Sequence, residues 1–270
     1  MPASKKVNAE ALTSADFEQR IAQPKILLFD IETAPNLSWV FGHYEQNVLR
    51  HEQERFMLSF AAKWLGEKRI ICKSLPEYKG YKPYKDCDKG LTQDLWNLFD
   101  EADILIGHHL DGFDVKMANA RFIKYRMNPP RFYKTIDTKK VAKRYFRFNS
   151  NKLDDLGNFL GVGRKVKHQG LDLWFDCLAG LKPAWATMCR YNKGDVTLLE
   201  KVYLELRKWH ESHPNLNVLM NRANGCPKCG GTNIEHRGYR PTDTGRFRRY
   251  YCFDCGGYGQ GFHVKVSNIR

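Results

Sequence analysis

Ile26-Leu27-Leu28-Phe29-Asp30-Ile31-Glu32-Thr33 is the stretch that decides the fold. Five of the six residues before Glu32 are apolar, which predicts a buried strand. Alternation along a strand places Asp30 and Glu32 on one face, side by side. Two carboxylates so close repel each other unless a cation lies between them, and a divalent metal is the usual solution. A strand can also simply end on acidic residues, so the weight of this pair depends on whether further carboxylates arrive from later in the chain.

Two more segments supply them. Asp103-Ile104-Leu105-Ile106 predicts a second short strand, which leaves through Gly107-His108-His109-Leu110-Asp111-Gly112-Phe113-Asp114 into a helix running to about Met127. Gly107 and Gly112 permit a tight exit, and Phe113 can anchor the helix in the core. Asp114 falls in the first turn, where the helix dipole favours negative charge, so capping alone would account for it. Further on, Tyr191-Asn192-Lys193-Gly194-Asp195 opens a segment in which Val196, Leu199, Val202, Tyr203 and Leu206 share a helical face. Tyr191 and Asp195 are four apart and project from one side of that helix. Such a pair is common by itself.

Taken together, the segments resemble the DEDD exonucleases of the RNase H-like superfamily, in the tyrosine subgroup that includes the proofreading domains of family B DNA polymerases. Asp30 and Glu32 match its first motif, Asp114 its second, and Tyr191 with Asp195 its third. The sister subgroup carries a histidine where this chain has Arg190. Thr135-Ile136-Asp137-Thr138 and the run from Lys152 to Gly161 also look familial, so the resemblance extends over roughly residues 25 to 207. His109 departs from the pattern, which usually has an asparagine there that helps hold substrate.

The resemblance implies hydrolysis of a phosphodiester with two Mg²⁺ or Mn²⁺ ions, hard cations suited to oxygen ligands. It implies that Asp30 bridges both ions, that Glu32 and Asp195 complete the site holding the attacking water, and that Asp114 supports the second ion. Tyr191 would orient that water. With an ordinary pKa near 10 it is a poor base at neutral pH. Thr33, His109 and Phe113, which flank these residues, are candidate nucleic-acid contacts.

Near the C-terminus, Cys226-Pro227-Lys228-Cys229 is answered by Cys252-Phe253-Asp254-Cys255 across 22 residues. Two CxxC pairs at this spacing, each followed by Gly-Gly, predict a tetrahedral structural Zn²⁺ site of ribbon type more readily than a redox pair. Arg237, Arg240, Arg246, Arg248 and Arg249 alternate with Tyr239, Phe247, Tyr250 and Tyr251 between the pairs. The segment resembles the zinc ribbons at the ends of transposases and other DNA-binding proteins. Residues 226–270 carry eight Lys and Arg against three Asp and Glu. So short a unit needs its metal to fold, and Arg246, Arg248 and Arg249 are its candidate nucleic-acid contacts.

Composition points the same way. The 270 residues carry a formal charge of +14 at pH 7 with a pI near 9.4, which suits a polyanionic partner. Lys139 to Phe148 and Arg164 to His168 concentrate cations among aromatics, as single-strand binding requires. Lys143, Arg144 and Arg147 are the candidates in the first run, although at least half of its rings are expected in the core. His108 and His168 are expected to be surface or hydrogen-bonded residues without a functional role. Cys72, Cys87, Cys177 and Cys189 lack ligand spacing and are expected as reduced thiols. Without a signal peptide or a long apolar run, the expected location is cytoplasmic, with no membrane partner.

The expected fold is α/β: an N-terminal extension (1–23, with a short helix near Ser14 to Ile21), an RNase H-like domain with a mixed five-stranded sheet flanked by helices (24–210), a linker (211–224) and a zinc ribbon (225–270). The first strand should be followed by an irregular insert to about Arg50, then strands at Phe56 to Leu65 and Arg69 to Lys73, a loop at Tyr78 to Lys89 and a helix at Leu91 to Glu101. The leading functional reading is a metal-dependent 3′→5′ exonuclease on DNA, with the ribbon docking nucleic acid or replication and repair proteins. An RNA-directed exonuclease, a structure-specific endonuclease and a non-catalytic DNA-binding or recruitment protein are the alternatives. Metals and carboxylates see the phosphate and not the sugar, so the sequence leaves DNA and RNA unseparated.

Overall fold

The computed structural model describes residues 23–44, 46–222 and 224–265. The chain divides into two compact units, one spanning Lys25–His213 and the other holding the described residues from Pro214 onward. The expected helix near Ser14 to Ile21 lies outside the described residues.

The first unit is built on the strand quoted above. β1 (Ile26–Thr33) pairs antiparallel with β4 (Met57–Trp64), which pairs antiparallel with β5 (Ile71–Ser74). On its other side β1 runs parallel to β6 (Ile104–Gly107), and β6 runs parallel to β7 (Lys134–Asp137). The sheet order β5-β4-β1-β6-β7 is the expected mixed five-stranded arrangement. With neighbours on both edges and helices on both faces, β1 is apolar in every position not used by the carboxylates and the terminal Thr33. Leu27, Phe29 and Ile31 point to one face, where Phe29 meets Phe99 edge-on at 4.8 Å. Phe99 belongs to α1 (Lys89–Glu101), whose Leu91, Leu95 and Phe99 recur every four residues and are all fully buried.

The opposite face of β1 presents Leu28, Asp30 and Glu32. It is covered by a 26-residue helix, Lys182–Arg207, the last of the unit after α2 (Asp114–Lys124), α3 (Thr138–Tyr145), α4 (Leu153–Phe159) and α5 (Asp172–Leu178). This helix, α6, starts with Pro183 in its first turn and buries Val196, Leu199, Val202, Tyr203 and Leu206, as their spacing predicted. It begins well before Tyr191, so the Tyr/Asp pair sits inside the helix and not at its opening.

Four further expectations are corrected. The insert after β1 is not irregular throughout, since β2 (Leu37–Trp39) and β3 (Arg50–Gln53) pair as an antiparallel hairpin. The loop at Tyr78 to Lys89 contains a 3₁₀ turn at Lys79–Tyr81. Cys72 and Cys189 are not free thiols: β5 and α6 bring their Cα atoms to 6.2 Å and the sulfurs are bonded, a meeting of residues 117 apart that no spacing rule shows. Lastly, the 211–224 linker is partly folded. α7 (Leu216–Leu219) is capped by Asn215, the Leu216 amide donates to the Pro227 carbonyl at 2.8 Å, and Asn217 Nδ2 donates to the Gly225 carbonyl at 2.6 Å.

The second unit is a three-stranded antiparallel sheet in the order β10-β9-β8, from β8 (Ile234–Thr242), β9 (Gly245–Cys252) and β10 (Tyr258–Lys265). Cys226, Cys252, Cys255 and Tyr250 form its small buried centre. No described helix is long and apolar enough to cross a membrane.

Candidate active site

β1 and α6 meet at the carboxylates. Ligand oxygens of Asp30, Glu32 and Asp195 all lie within 4.8 Å of one another. Asn192 Nδ2 donates to Asp30 Oδ2 at 2.7 Å, fixing that carboxylate from the helix side. Asp114, at the first turn of α2, is buried next to this trio, with its oxygens outside the 4.8 Å cluster. Its Oδ1 accepts from the Ile31 amide at 3.3 Å, between the two β1 carboxylates in sequence.

Burial and mutual repulsion hold these groups far from their ordinary titration. Burial, then the Asp195 charge, push the Asp30 carboxyl up to about 7, against opposing contributions from Lys165 and Asn192. Burial and the charges of Asp30 and Asp195 raise Glu32 well above the carboxylate range, and burial followed by Asp30 does the same to Asp114. Asp195 is raised by burial despite its ion pair with Lys165. A group of acids that resists ionisation in isolation is one that binds positive charge when it does ionise.

Among the described residues, Lys165 is the cation bonded inside the group. Its Nζ donates to Asp195 Oδ2 at 2.6 Å and to the Tyr191 hydroxyl at 3.0 Å. It comes from the segment between α4 and α5, where Gly161, Gly163 and Gly170 take positive φ and the Lys165 amide is anchored on Asp154 at 2.7 Å. His168, expected to have no role, packs its ring on Tyr191 with centroids 4.5 Å apart, and Trp174 flanks both rings. His108 is hydrogen-bonded, to Thr138 Oγ1 and the Asn151 carbonyl at 2.9 Å each. Burial, then the Asp195 charge, raise the Tyr191 hydroxyl, so it keeps its proton at neutral pH.

Lys165, Asn192 and His168 were missed as site residues for different reasons. Asn192 lay inside a quoted motif and carried the signal of adjacency to Tyr191. Lys165 and His168 lay in a basic run that offered no clue to which of its members turns inward.

The flanking candidates divide. Thr33 follows a register shift at the end of β1 and is half-buried. His109 takes a left-handed backbone (φ 73°), and its amide donates to Asp137 Oδ1 at 3.0 Å. Asn is among the residues that tolerate such a backbone best, so the departure at this position is compatible with one turn geometry. Phe113 is half-buried beneath the Arg55 guanidinium, 5.7 Å from its ring. Lys143, Arg144 and Arg147 are exposed, but the neighbouring rings are engaged: Phe146 stacks on Phe148 at 5.0 Å and meets Trp209 at 5.5 Å. That run offers charge and no free stacking platform from Phe146 or Phe148.

In the second unit the four sulfurs of Cys226, Cys229, Cys252 and Cys255 lie within 4.8 Å of one another. Gly230 and Gly256 adopt φ near +74° and +72°, the left-handed turn that each CxxC needs to bring both sulfurs to one point. The Gly231 amide donates to Cys229 Sγ at 3.4 Å. Hydrogen bonds from Cys226 and Cys229 lower the Cys255 thiol, while contacts with Cys226 and Cys255 raise Cys229. The Cys255 thiolate is thus favoured at the expense of Cys229. Arg246, Arg248 and Arg249 are exposed on β9, with Arg246 4.0 Å over the Tyr239 ring.

A sequence profile of the RNase H superfamily matches residues 27–207, two thirds of the chain and nearly all of the first unit. The chain belongs to the RNase H superfamily. No curated protein sequence is significantly similar to it. Among solved structures, the family B DNA polymerase from the hyperthermophilic archaeon Pyrobaculum calidifontis aligns over 82% of this chain at 14% identity and a TM-score of 0.49. The alignment covers 32% of that polymerase, so this chain spans about a third of it. As a member of this superfamily the chain has a nuclease-type fold, and such folds usually work with divalent metals; its acidic and cysteine clusters could each bind metal.

Proposed function

We propose that this protein is a 3′→5′ exonuclease of the tyrosine DEDD type, acting on the 3′ ends of DNA with Mg²⁺ or Mn²⁺. The observation that carries the reading is the convergence of Asp30, Glu32 and Asp195 within 4.8 Å on a buried sheet face, with Asp114 beside them and Tyr191 on the same helix. An all-oxygen donor set suits hard divalent cations. When bound, such ions activate water and neutralise the leaving oxygen in phosphoryl transfer. The protein's own part is to hold the donors in place. Asn192 orients Asp30, the Ile31 amide fixes Asp114, and α6 sets Asp195 one turn from Tyr191. Tyr191, protonated and steadied by His168, positions water and does not abstract its proton. Four thiols closed on one point fit a structural Zn²⁺, so the second unit reads as a zinc ribbon that docks nucleic acid.

The test is a gel assay on 5′-labelled single-stranded DNA and RNA with Mg²⁺ or Mn²⁺, run beside Asp30→Ala and Asp195→Ala. Products shortening one nucleotide at a time, absent in both variants, are expected. Discrete internal cuts would replace the exonuclease with an endonuclease, and binding without cleavage would leave only recruitment.

A further inference from the structure

The β2–β3 hairpin plays no part in the chemistry above, yet it carries the two most exposed rings among the described residues, Phe41 at 90% and Tyr44 at 86%. Leu37 and Trp39 on β2 are also exposed. The hairpin is nevertheless an ordered element. The Leu49 amide donates to the Trp39 carbonyl at 3.0 Å, and Ser38 Oγ is bonded to His51 Nδ1 at 2.8 Å. So much contiguous apolar surface in water is unfavourable and marks an interaction site.

Its place relative to the carboxylates is set by the chain. β1 ends at Thr33, next to Glu32, and β2 begins at Leu37, so the two are separated by no more than about 14 Å of extended backbone. Both legs of the hairpin are tied down at its root. The Ala34 amide donates to the Phe56 carbonyl at 2.9 Å, and the Arg55 amide donates to Asn36 Oδ1 at 2.8 Å. From that root the exposed Arg55 guanidinium lies 5.7 Å over Phe113, the residue before Asp114. The hairpin therefore rises from the carboxylate end of β1.

The chemistry of the patch and its continuity with the acidic site choose the occupant. Among the described residues Trp39 and Phe41 meet no other ring, and Tyr44 meets only His43, at 6.4 Å. Their faces are open. Arg50 stands directly opposite Trp39 across the hairpin, with Glu52 3.7 Å from it, and Arg55 supplies a second cation at the root. Open rings beside cations suit a single strand, with bases stacked on the rings and phosphates held by charge. A paired base already has both faces covered by its neighbours and gains nothing from such a ring. We propose that the β2–β3 hairpin is a stacking platform for unpaired bases of the strand that enters the acidic site, so that substrate is held by its bases as well as its phosphates. The proposal rests on the nuclease reading of the preceding subsection.

The experiment is fluorescence anisotropy with the full-length, zinc-loaded protein and no added Mg²⁺ or Mn²⁺, on 5′-labelled single-stranded 12-mers of mixed sequence. One strand is intact, and the other has abasic sites at the nucleotides just upstream of its 3′ end. The intact strand is expected to bind at least about tenfold more tightly. Trp39→Ser, Phe41→Ser and Tyr44→Ser combined should bring that ratio below about threefold, while the abasic strand, held by charge alone, binds as before. The three rings are exposed, so the variant should fold, which the melting of the Lys25–His213 unit checks. Leucine at the same three positions keeps the apolar surface and removes the ring faces, and should lose the discrimination as well. Equal affinity of the wild-type protein for both strands overturns the proposal, as does discrimination that survives in the serine or the leucine variant. Manganese-dependent trimming by the wild-type preparation is measured separately. Trimming without discrimination against abasic strands sinks this inference alone. Absence of both binding and trimming overturns both readings and would assign the hairpin to a protein partner.

Discussion

Asp30→Asn should make the protein more stable when no Mg²⁺ or Mn²⁺ is present. In the folded chain this carboxyl is pushed up to about 7 by burial and by Asp195, from an ordinary value of 3.8. Between those two values the folded state holds its proton more tightly than the unfolded state does. Wild-type stability therefore falls as pH rises from about 4 to 7, and the whole cost is present above pH 7. A shift of about three units at 1.36 kcal/mol each sets a ceiling of about 4 kcal/mol. Asp30 keeps part of its surface in solvent, so about 2 kcal/mol is the working figure at pH 8. Asparagine has the same shape and still accepts the Asn192 bond on its amide oxygen. Differential scanning calorimetry of the zinc-loaded protein, following the Lys25–His213 transition at pH 5 and pH 8, should show the variant about 4–8 °C higher at pH 8. The gap should narrow at pH 5. Adding Mn²⁺ at a hundred times its Kd should raise the wild type by about 2.7 kcal/mol and leave the variant nearly unmoved. A variant less stable than wild type at pH 8 without ions would refute the electrostatic account, as would equal stabilisation of both by Mn²⁺.

Tyr191→Phe should lower kcat by no more than about a hundredfold, at the low end of general acid–base contributions, whereas Asp195→Asn should leave no measurable trimming in the same steady-state assay. Cys252→Ser should release zinc, read by atomic emission, and abolish the separate melting of the second unit while the Lys25–His213 transition stays within a degree or two. Asp88→Ala removes a fully buried carboxylate that pairs with Arg121 and accepts the Met57 amide at 2.9 Å. It should cost about 3–5 kcal/mol by leaving Arg121 buried and unpaired, measured by denaturant titration; a loss under 1 kcal/mol would show that water reaches Arg121.

What was legible in the sequence follows the range over which each signal acts. The ILLFDIET strand announced both its burial and its paired carboxylates, because alternation acts over two residues. The α6 stripe from Val196 to Leu206 was equally plain at a period of 3.6, and the CxxC pairs at their fixed spacing. The hairpin of β2 and β3 was not, since β2 is only three residues long and exposes its apolar members, Leu37 and Trp39, where an amphipathic strand would bury them. Contacts between distant segments were hidden altogether. Cys72 with Cys189, and Lys165 with Asp195, depend on how β5, α6 and the Gly-flanked 160–171 segment come together.

Charge counting shows why the inward turn of Lys165 matters for the site. Asp30, Glu32 and Asp195, if all ionised, bring three negative charges to one point, and Lys165 returns one. A formal deficit of two remains, and Asp114 beside the group raises it to three. Protons fill part of that deficit in the isolated chain, which is what the raised titrations of all four acids express. Asparagine or water could satisfy the hydrogen bonds but not the charge. On the proposed reading, the fold that buries these acids under α6 would favour a divalent cation there, and the instability of the ion-free cluster and its capacity for metal would be one property measured two ways.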